Sequence, residues 1–209
     1  MLIDIRLCFI GDSFVNGAGD PEKLGWVGRL CALSETSERQ ITVYNLGVRR
    51  ESSDDILGRW FNECKIRFPE ASNNGLVFSF GVNDSVIDNG QLRVKQGQSI
   101  INARTILLKA RELYPVLMIG PPPIEDKDTN KRIKILDKQF DELCKGIEVP
   151  YLSLFHTLND SFIWKQQISQ NDGAHPSSEG YALLAEEVFK WHEWTNFLEF
   201  LSDDENAIA

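Results

Sequence analysis

The chain has 209 residues, 42% of them hydrophobic and 25% charged, with a formal net charge of -9. That length is most simply one domain over residues 1–209, large enough to bury a core without disulfide or metal staples. The acidic balance and the lack of a Lys/Arg run argue against a nucleic-acid partner, and no stretch approaches the roughly 18 apolar residues of a membrane span.

In chain order, residues 5–10 read as the first strand. Asp4 and Arg6 interrupt the apolar run, which leads straight into Gly11-Asp12-Ser13, so it does not read as an export signal. Short Val/Ile/Leu/Phe-rich runs at 41–46, 76–80, 116–120 and 149–154 predict four more strands, bounded by Gly, Pro or Asn. Ile56, Trp60 and Cys64 predict the helix after the second strand, and Ser52 with Asp55 forms an acidic capping box at its start. Ile100, Ala103, Leu107, Ala110 and Tyr114 mark the next helix, followed by Ile133, Leu136, Phe140 and Leu143. Gly120-Pro121-Pro122-Pro123 ends the fourth strand as a stiff wall.

The connection from His156 to Asp172 is long enough to be a lid or a local helix, and its Phe162 and Trp164 suit core or substrate platform equally. Pro176 is expected to open the last helix, with Ser177 or Ser178 near the cap and Tyr181, Leu184, Ala185, Val188 and Trp191 on its apolar face. Trp191, Trp194, Phe197, Phe200 and Leu201 form an apolar stripe that core packing or a homodimer would explain. An acidic tail from about residue 202, Ser202-Asp203-Asp204-Glu205-Asn206, is expected to fray.

Strands alternating with helices predict an α/β doubly wound parallel sheet, a flavodoxin-like three-layer αβα sandwich with order 2-1-3-4-5. In that order the turns after strands two and three flank the turn after strand one. Three motifs distant in sequence then meet at the carboxyl edge: Gly11-Asp12-Ser13, Gly81-Val82-Asn83-Asp84 and Asp172-Gly173-Ala174-His175-Pro176.

Those motifs contain the parts of a serine hydrolase. A hydroxyl is a poor nucleophile until a base takes its proton, and the base needs an orienting carboxylate. Ser13 is the candidate nucleophile. Of the three histidines, His192 sits between Trp191 and Trp194 and reads as a partly buried structural residue. His156 follows the fifth strand with no carboxylate in its turn and reads as a loop residue. His175 has Asp172 three positions before it across two small residues, a spacing that lets the carboxylate hold Nδ1. Pro176 restricts His175 to extended backbone. Asn83 can cap the turn after strand three or donate to an oxyanion, and the Gly-containing turn Asn45-Leu46-Gly47 can supply oxyanion donors too. Asp12 is expected to hold the first loop through backbone hydrogen bonds, and Asp84 its own turn.

These residues resemble the GDSL-like, or SGNH, esterase family, named for a Ser, a Gly, an Asn and a His that here would be Ser13, Gly47, Asn83 and His175. The likeness runs from about residue 7 to about residue 190. It implies the SGNH hydrolase fold, the triad Ser13, Asp172 and His175, and an oxyanion hole of the Ser13 and Gly47 backbone N–H groups with the Asn83 side chain. The sequence departs from the family pattern at Phe14, which stands for Leu, and at Val48-Arg49-Arg50, where relatives usually carry another Gly.

The expected activity is a cofactor-free and metal-free serine esterase or acylhydrolase that cleaves a carboxylic ester or thioester through an acyl-enzyme on Ser13. Short-chain esters, acetylated sugars, lysophospholipids and thioesters all fit. Arg49 and Arg50 either attract an acidic substrate or are solvated surface. Two rival readings are a non-enzymatic flavodoxin-like ligand- or partner-binding domain and a metal-dependent phosphoesterase; the second needs several His and carboxylate ligands, and only His175 lies in a motif. Cys8, Cys31, Cys64 and Cys144 lie in apolar patterns with no Cys-x-x-Cys pair, which suits reduced thiols and a cytoplasmic location.

Overall fold

A near-continuous apolar run shapes the first strand of the computed structural model, which describes residues 3–69 and 72–203. β1 (Ile3–Gly11) sends Ile5, Leu7 and Phe9 into one apolar cluster and Cys8 and Ile10 into another. A strand apolar on both faces must be covered on both. After it come α1 (Ser13–Asn16), α2 (Gly25–Ser34), β2 (Arg39–Gly47), α3 (Ser53–Lys65) and β3 (Asn73–Ser79). A 3-10 turn (Asn83–Ser85) and the hairpin β4 (Ile87–Asp88) and β5 (Gln91–Leu92) lead to α4 (Gln96–Arg111) and β6 (Val116–Ile119). Next are α5 (Lys127–Gly146), β7 (Tyr151–Leu152), α6 (Phe155–Asp160) and α7 (Phe162–Gln170). The last two helices are α8 (Ser178–Lys190) and α9 (His192–Ser202).

Five parallel strands form the main sheet in the order β2-β1-β3-β6-β7, the expected 2-1-3-4-5 when the small hairpin is set aside. Trp26 of α2, Tyr181 of α8 and Trp194 of α9 pack on one face, with Val77 and Leu117 of the sheet. Trp60 of α3, Ile106 of α4 and Phe140 of α5 pack on the other, with Phe78 and Met118. The result is an αβα sandwich. Among the described residues no helix is long and apolar enough to cross a membrane.

The C-terminal stripe belongs to the core. A side chain at Gly75 of β3 would lie 2.5 Å from the Phe197 ring and 2.7 Å from Leu201, so α9 presses directly on the sheet. Trp194, Phe197 and Leu201 are buried there, and Phe200, 51% exposed, faces outward. α9 ends at Ser202 with Asp203 as its C-cap; Asp204 to Asn206, the rest of the expected acidic tail, lie outside the described residues.

Other details differ from the sequence reading. α8 is capped at Ser177, so Pro176 precedes the helix and does not open it. His192 is exposed at the start of α9, with Nδ1 2.8 Å from the Asn196 amide, because the helix turns its indole neighbour Trp194 inward and the imidazole out. His156 lies in α6, not in a loop. Asn45, Leu46 and Gly47 end β2 and do not form a turn.

Register sets the site. Gly11 pairs with Gly47 on one side and with Ser79 on the other, so the three strands end together. Arg59 of α3 binds this edge: Nη2 donates to the carbonyls of Gly11 at 3.2 Å and Leu46 at 2.8 Å, and Nε donates to Glu51 at 2.5 Å. The capping box at the start of α3 forms through Asp55, which accepts the Ser52 N–H at 2.8 Å.

Candidate active site

Ser13 directly follows β1 as the first residue of α1, and it is 6% exposed. Asp12 is the cap, accepting the Phe14 N–H at 2.9 Å, which matches the loop-holding role expected of it. At the first position of a helix the Ser13 N–H has no intrahelical acceptor. Ser13 Oγ lies 2.7 Å from His175 Nε2, although 162 residues separate them.

His175 is held by its own turn. Asp172 Oδ2 sits 2.7 Å from His175 Nδ1, while Asp172 Oδ1 accepts the Ala174 N–H at 3.0 Å and the His175 N–H at 2.8 Å. Gly173 makes the turn with φ of +80°, a left-handed conformation natural only to glycine. Burial pushes the Asp172 carboxyl up, but the His175 N–H, the His175 ring and the Ala174 N–H outweigh it and hold the group below the usual carboxylate range. An ionised Asp172 accepts from Nδ1–H, which leaves Nε2 as the acceptor facing Ser13. Phe14 packs inward against the base, 4.9 Å from the His175 ring, with Trp164 behind it at 6.5 Å.

Asn83 opens the 3-10 turn after β3, half-buried. Its amide nitrogen donates to Glu51 O at 2.9 Å and lies 3.4 Å from Asp12 Oδ2, and its oxygen accepts from Arg93 Nη1 at 2.9 Å. Asp84 does not hold its own turn; its Oδ1 accepts the Ser53 N–H at 2.8 Å, tying the turn to the start of α3.

Gly47 packs close to the nucleophile loop. A Cβ there would lie 2.1 Å from the Asn16 nitrogen, so only glycine allows β2 to approach α1. Its N–H donates to Asn45 Oδ1 at 3.0 Å, and Asn45 Nδ2 in turn donates to Val15 O at 2.7 Å. Arg49 and Arg50 are exposed, and the main chain of Arg50, not its side chain, joins the network by accepting from Arg93 Nη2.

Asp20 escaped the sequence reading. It is 0% exposed and accepts six hydrogen bonds: from the N–H groups of Glu22, Leu24 and Gly25, from both Arg29 nitrogens, and from Ser178 Oγ at 2.9 Å. Burial alone would raise this carboxyl, but Arg29 and the other donors lower it to about 2. It therefore joins the loop after Ser13 to the helix after His175. An Asp in a polar loop carries no local mark of such a role. Arg93 was also missed, although Asn89-Gly90 before it is a strong hairpin signal.

The flanks are built from the remaining segments. Pro121, Pro122 and Pro123 form a buried wall, and Trp164 Nε1 donates to Pro123 O at 2.9 Å. The 156–172 connection is largely helical, with Trp164 in the core and Phe162 76% exposed. Among the described residues no group of three or more His, Cys, Asp or Glu is placed to hold a metal ion. Cys8, Cys31, Cys64 and Cys144 are buried and free; burial pushes the thiols of Cys31 and Cys144 up to about 12, away from thiolate chemistry.

Comparison with known proteins places the chain in a family and a fold. The model of the GDSL-like Lipase/Acylhydrolase family matches residues 9–183. An uncharacterized protein, YpmR of Bacillus subtilis (strain 168), is 24% identical over 212 residues, covering 89% of this chain and 80% of that protein. Among solved structures, a lipase/acylhydrolase from Enterococcus faecalis superposes with a TM-score of 0.71 at 22% identity, covering 94% of this chain and 95% of its own. Axe2, an acetylxylan esterase from Geobacillus stearothermophilus, gives a TM-score of 0.73 at 18% identity, covering 90% and 94%. The two structures share the fold. The chain belongs to the GDSL-like lipase/acylhydrolase family and is an SGNH-type serine hydrolase that acts on ester bonds.

Proposed function

We propose that the protein hydrolyses a carboxylic ester or thioester through an acyl-enzyme on Ser13, with His175 as general base and acid and Asp172 as its orienter. The unbroken chain from Ser13 Oγ to His175 Nε2 at 2.7 Å, and from Nδ1 to Asp172 at 2.7 Å, carries the reading. Ser13 Oγ attacks the carbonyl carbon while Nε2 takes its proton. The tetrahedral intermediate collapses as His175 returns that proton to the departing alcohol or thiol. Water then attacks the acyl group, its proton passing to His175, and the acid leaves as Ser13 recovers the proton. No cofactor enters either half.

The oxyanion is held by the Ser13 N–H and the Asn83 amide, whose second hydrogen has only the long contact to Asp12. The Gly47 N–H joins them when Asn45 Oδ1 yields it. Donors placed before charge develops are what make such a hole effective, and the Asn83 amide is held in place by Arg93 and Glu51. The buried free cysteines support a cytoplasmic site of action.

A fluorophosphonate probe tests the assignment directly. Labelling is expected at Ser13, and Ser13→Ala is expected to abolish both labelling and hydrolysis of a nitrophenyl ester panel while the melting temperature stays unchanged. Sustained turnover by a clean Ser13→Ala preparation would remove Ser13 from the mechanism. The acyl-chain dependence across the panel separates short-chain from long-chain substrates.

A further inference from the structure

Resting on the oxyanion role proposed for Asn83, we propose that Arg93, at the end of the β4–β5 hairpin, is a positioning residue that orients and polarises the Asn83 amide. An Asn side chain is nearly symmetric in shape, and its two faces have opposite hydrogen-bonding character. An oxyanion needs the nitrogen face. Arg93 carries donors only, so its Nη1, 2.9 Å from Asn83, can be met by the amide oxygen alone. This directs the nitrogen toward Glu51 O at 2.9 Å and Asp12 Oδ2 at 3.4 Å, on the Ser13 side of the turn.

The guanidinium does more than choose a face. A cationic donor on the amide oxygen draws electron density from the nitrogen and strengthens its N–H groups as donors.

Arg93 is held at three points. Its Nη1 donates to Asn83 Oδ1, its Nη2 donates to Arg50 O and its own N–H donates to Val86 O at 3.0 Å, while Asn83 reaches the next carbonyl along, Glu51 O. Arg50 holds φ of +70°, left-handed backbone that an Arg adopts at a cost. One guanidinium thus links the loop after β2 to the turn after β3, the two segments that flank Ser13. The β4–β5 hairpin ends immediately before Arg93 and so sets where that group leaves the chain.

A double-mutant cycle between Arg93 and Asn83 tests the proposal, with kcat, KM and melting temperature measured on the intact chain. Arg93→Gln is expected to lower kcat roughly ten- to a hundred-fold, less than the loss of a whole oxyanion donor, with KM within about two-fold. Arg93→Lys, which keeps the charge but not the fork, is expected to lose less. In the Asn83→Ala background Arg93→Gln should have almost no further effect, since it acts through the missing amide. An equal loss in both backgrounds, or an unchanged kcat in folded Arg93→Gln, would overturn the role of Arg93. An unchanged kcat in Asn83→Ala would overturn the oxyanion reading itself, and this proposal with it. If Arg93→Gln melts early, Arg93→Lys in both backgrounds decides the same question.

Discussion

Asp20 offers the most quantitative test of how the two halves of the site are joined. Replacing it with Asn removes the charge but keeps the shape; replacing it with Ala removes both. The carboxyl drops from its ordinary 3.8 to about 2, which corresponds to about 2 kcal/mol of preference for the ionised form in the folded state. That figure counts only charge. Asp20→Ala also strands Arg29 and the Leu24, Gly25 and Ser178 donors, and breaking a buried pair by removing one partner costs about 3–5 kcal/mol. In a chain of this size the latter is a fall of roughly 6–20 °C in Tm. The expected order of stability is wild type, Asp20→Asn, Asp20→Ala.

The sign of the pH dependence follows from the lowered value. The stabilisation is present in full above the unfolded-state value near 4 and is lost as pH falls through about 2. Urea melts of wild type and Asp20→Asn between pH 2 and 7 should therefore differ by about 2 kcal/mol or more at neutral pH and converge at the acid end. Activity should fall too, because Ser178 begins the helix that follows His175. A difference that is constant across pH, or smaller than about 0.5 kcal/mol at pH 7, would show that Asp20 is not the electrostatic anchor its six donors suggest.

Asp172→Asn should leave ester binding intact and lower kcat, by as much as about ten-thousand-fold as in the best-studied triad; an unchanged rate would make Asp172 a turn residue only. Asp12 is the reverse of Asp20. Burial, chiefly, raises its carboxyl to about 7, so its contribution to stability is present in full below about 4 and is lost as pH rises through about 7. The stability of Asp12→Asn relative to wild type should therefore increase over pH 4–7 in chemical melts, and a flat difference would refute this. Gly47→Ala must displace α1, since the added carbon would sit 2.1 Å from the Asn16 nitrogen; we expect a loss of at least about 1–3 kcal/mol and of most activity, and a fully active variant would show that the nucleophile loop moves freely.

Much of the architecture was legible because it depends on local pattern. The near-continuous apolar run at residues 5–10, the Ser52 and Asp55 pair and the short turn from Asp172 to His175 each lie within a few residues, where spacing alone fixes relative direction. Strand ends were read short at residues 5 and 41 because hydrogen-bond register, not hydrophobicity, decides where pairing stops. The Ile3–Arg39 pair lies outside the apolar runs. The Asn89-Gly90 hairpin carried a readable signal that the apolar-run criterion passed over, since its strands are two residues each and exposed or half-buried.

By itself, then, the sequence determined the order of the five main strands and of α3, α4, α5 and α8, and it singled out Ser13, His175 and Asp172, which the structure brings into contact. Periodicity, turn chemistry and short-range spacing suffice for those. Only the tertiary structure decided which polar groups support them. Asp20 meets Ser178 across 158 residues, and Arg59 of α3 finds the carbonyls of two different strands. Each such partnership is a side chain desolvated by packing and matched to donors or acceptors from distant segments. A loop Asp or a helical Arg looks the same in sequence whether it ends in water or at the centre of a site.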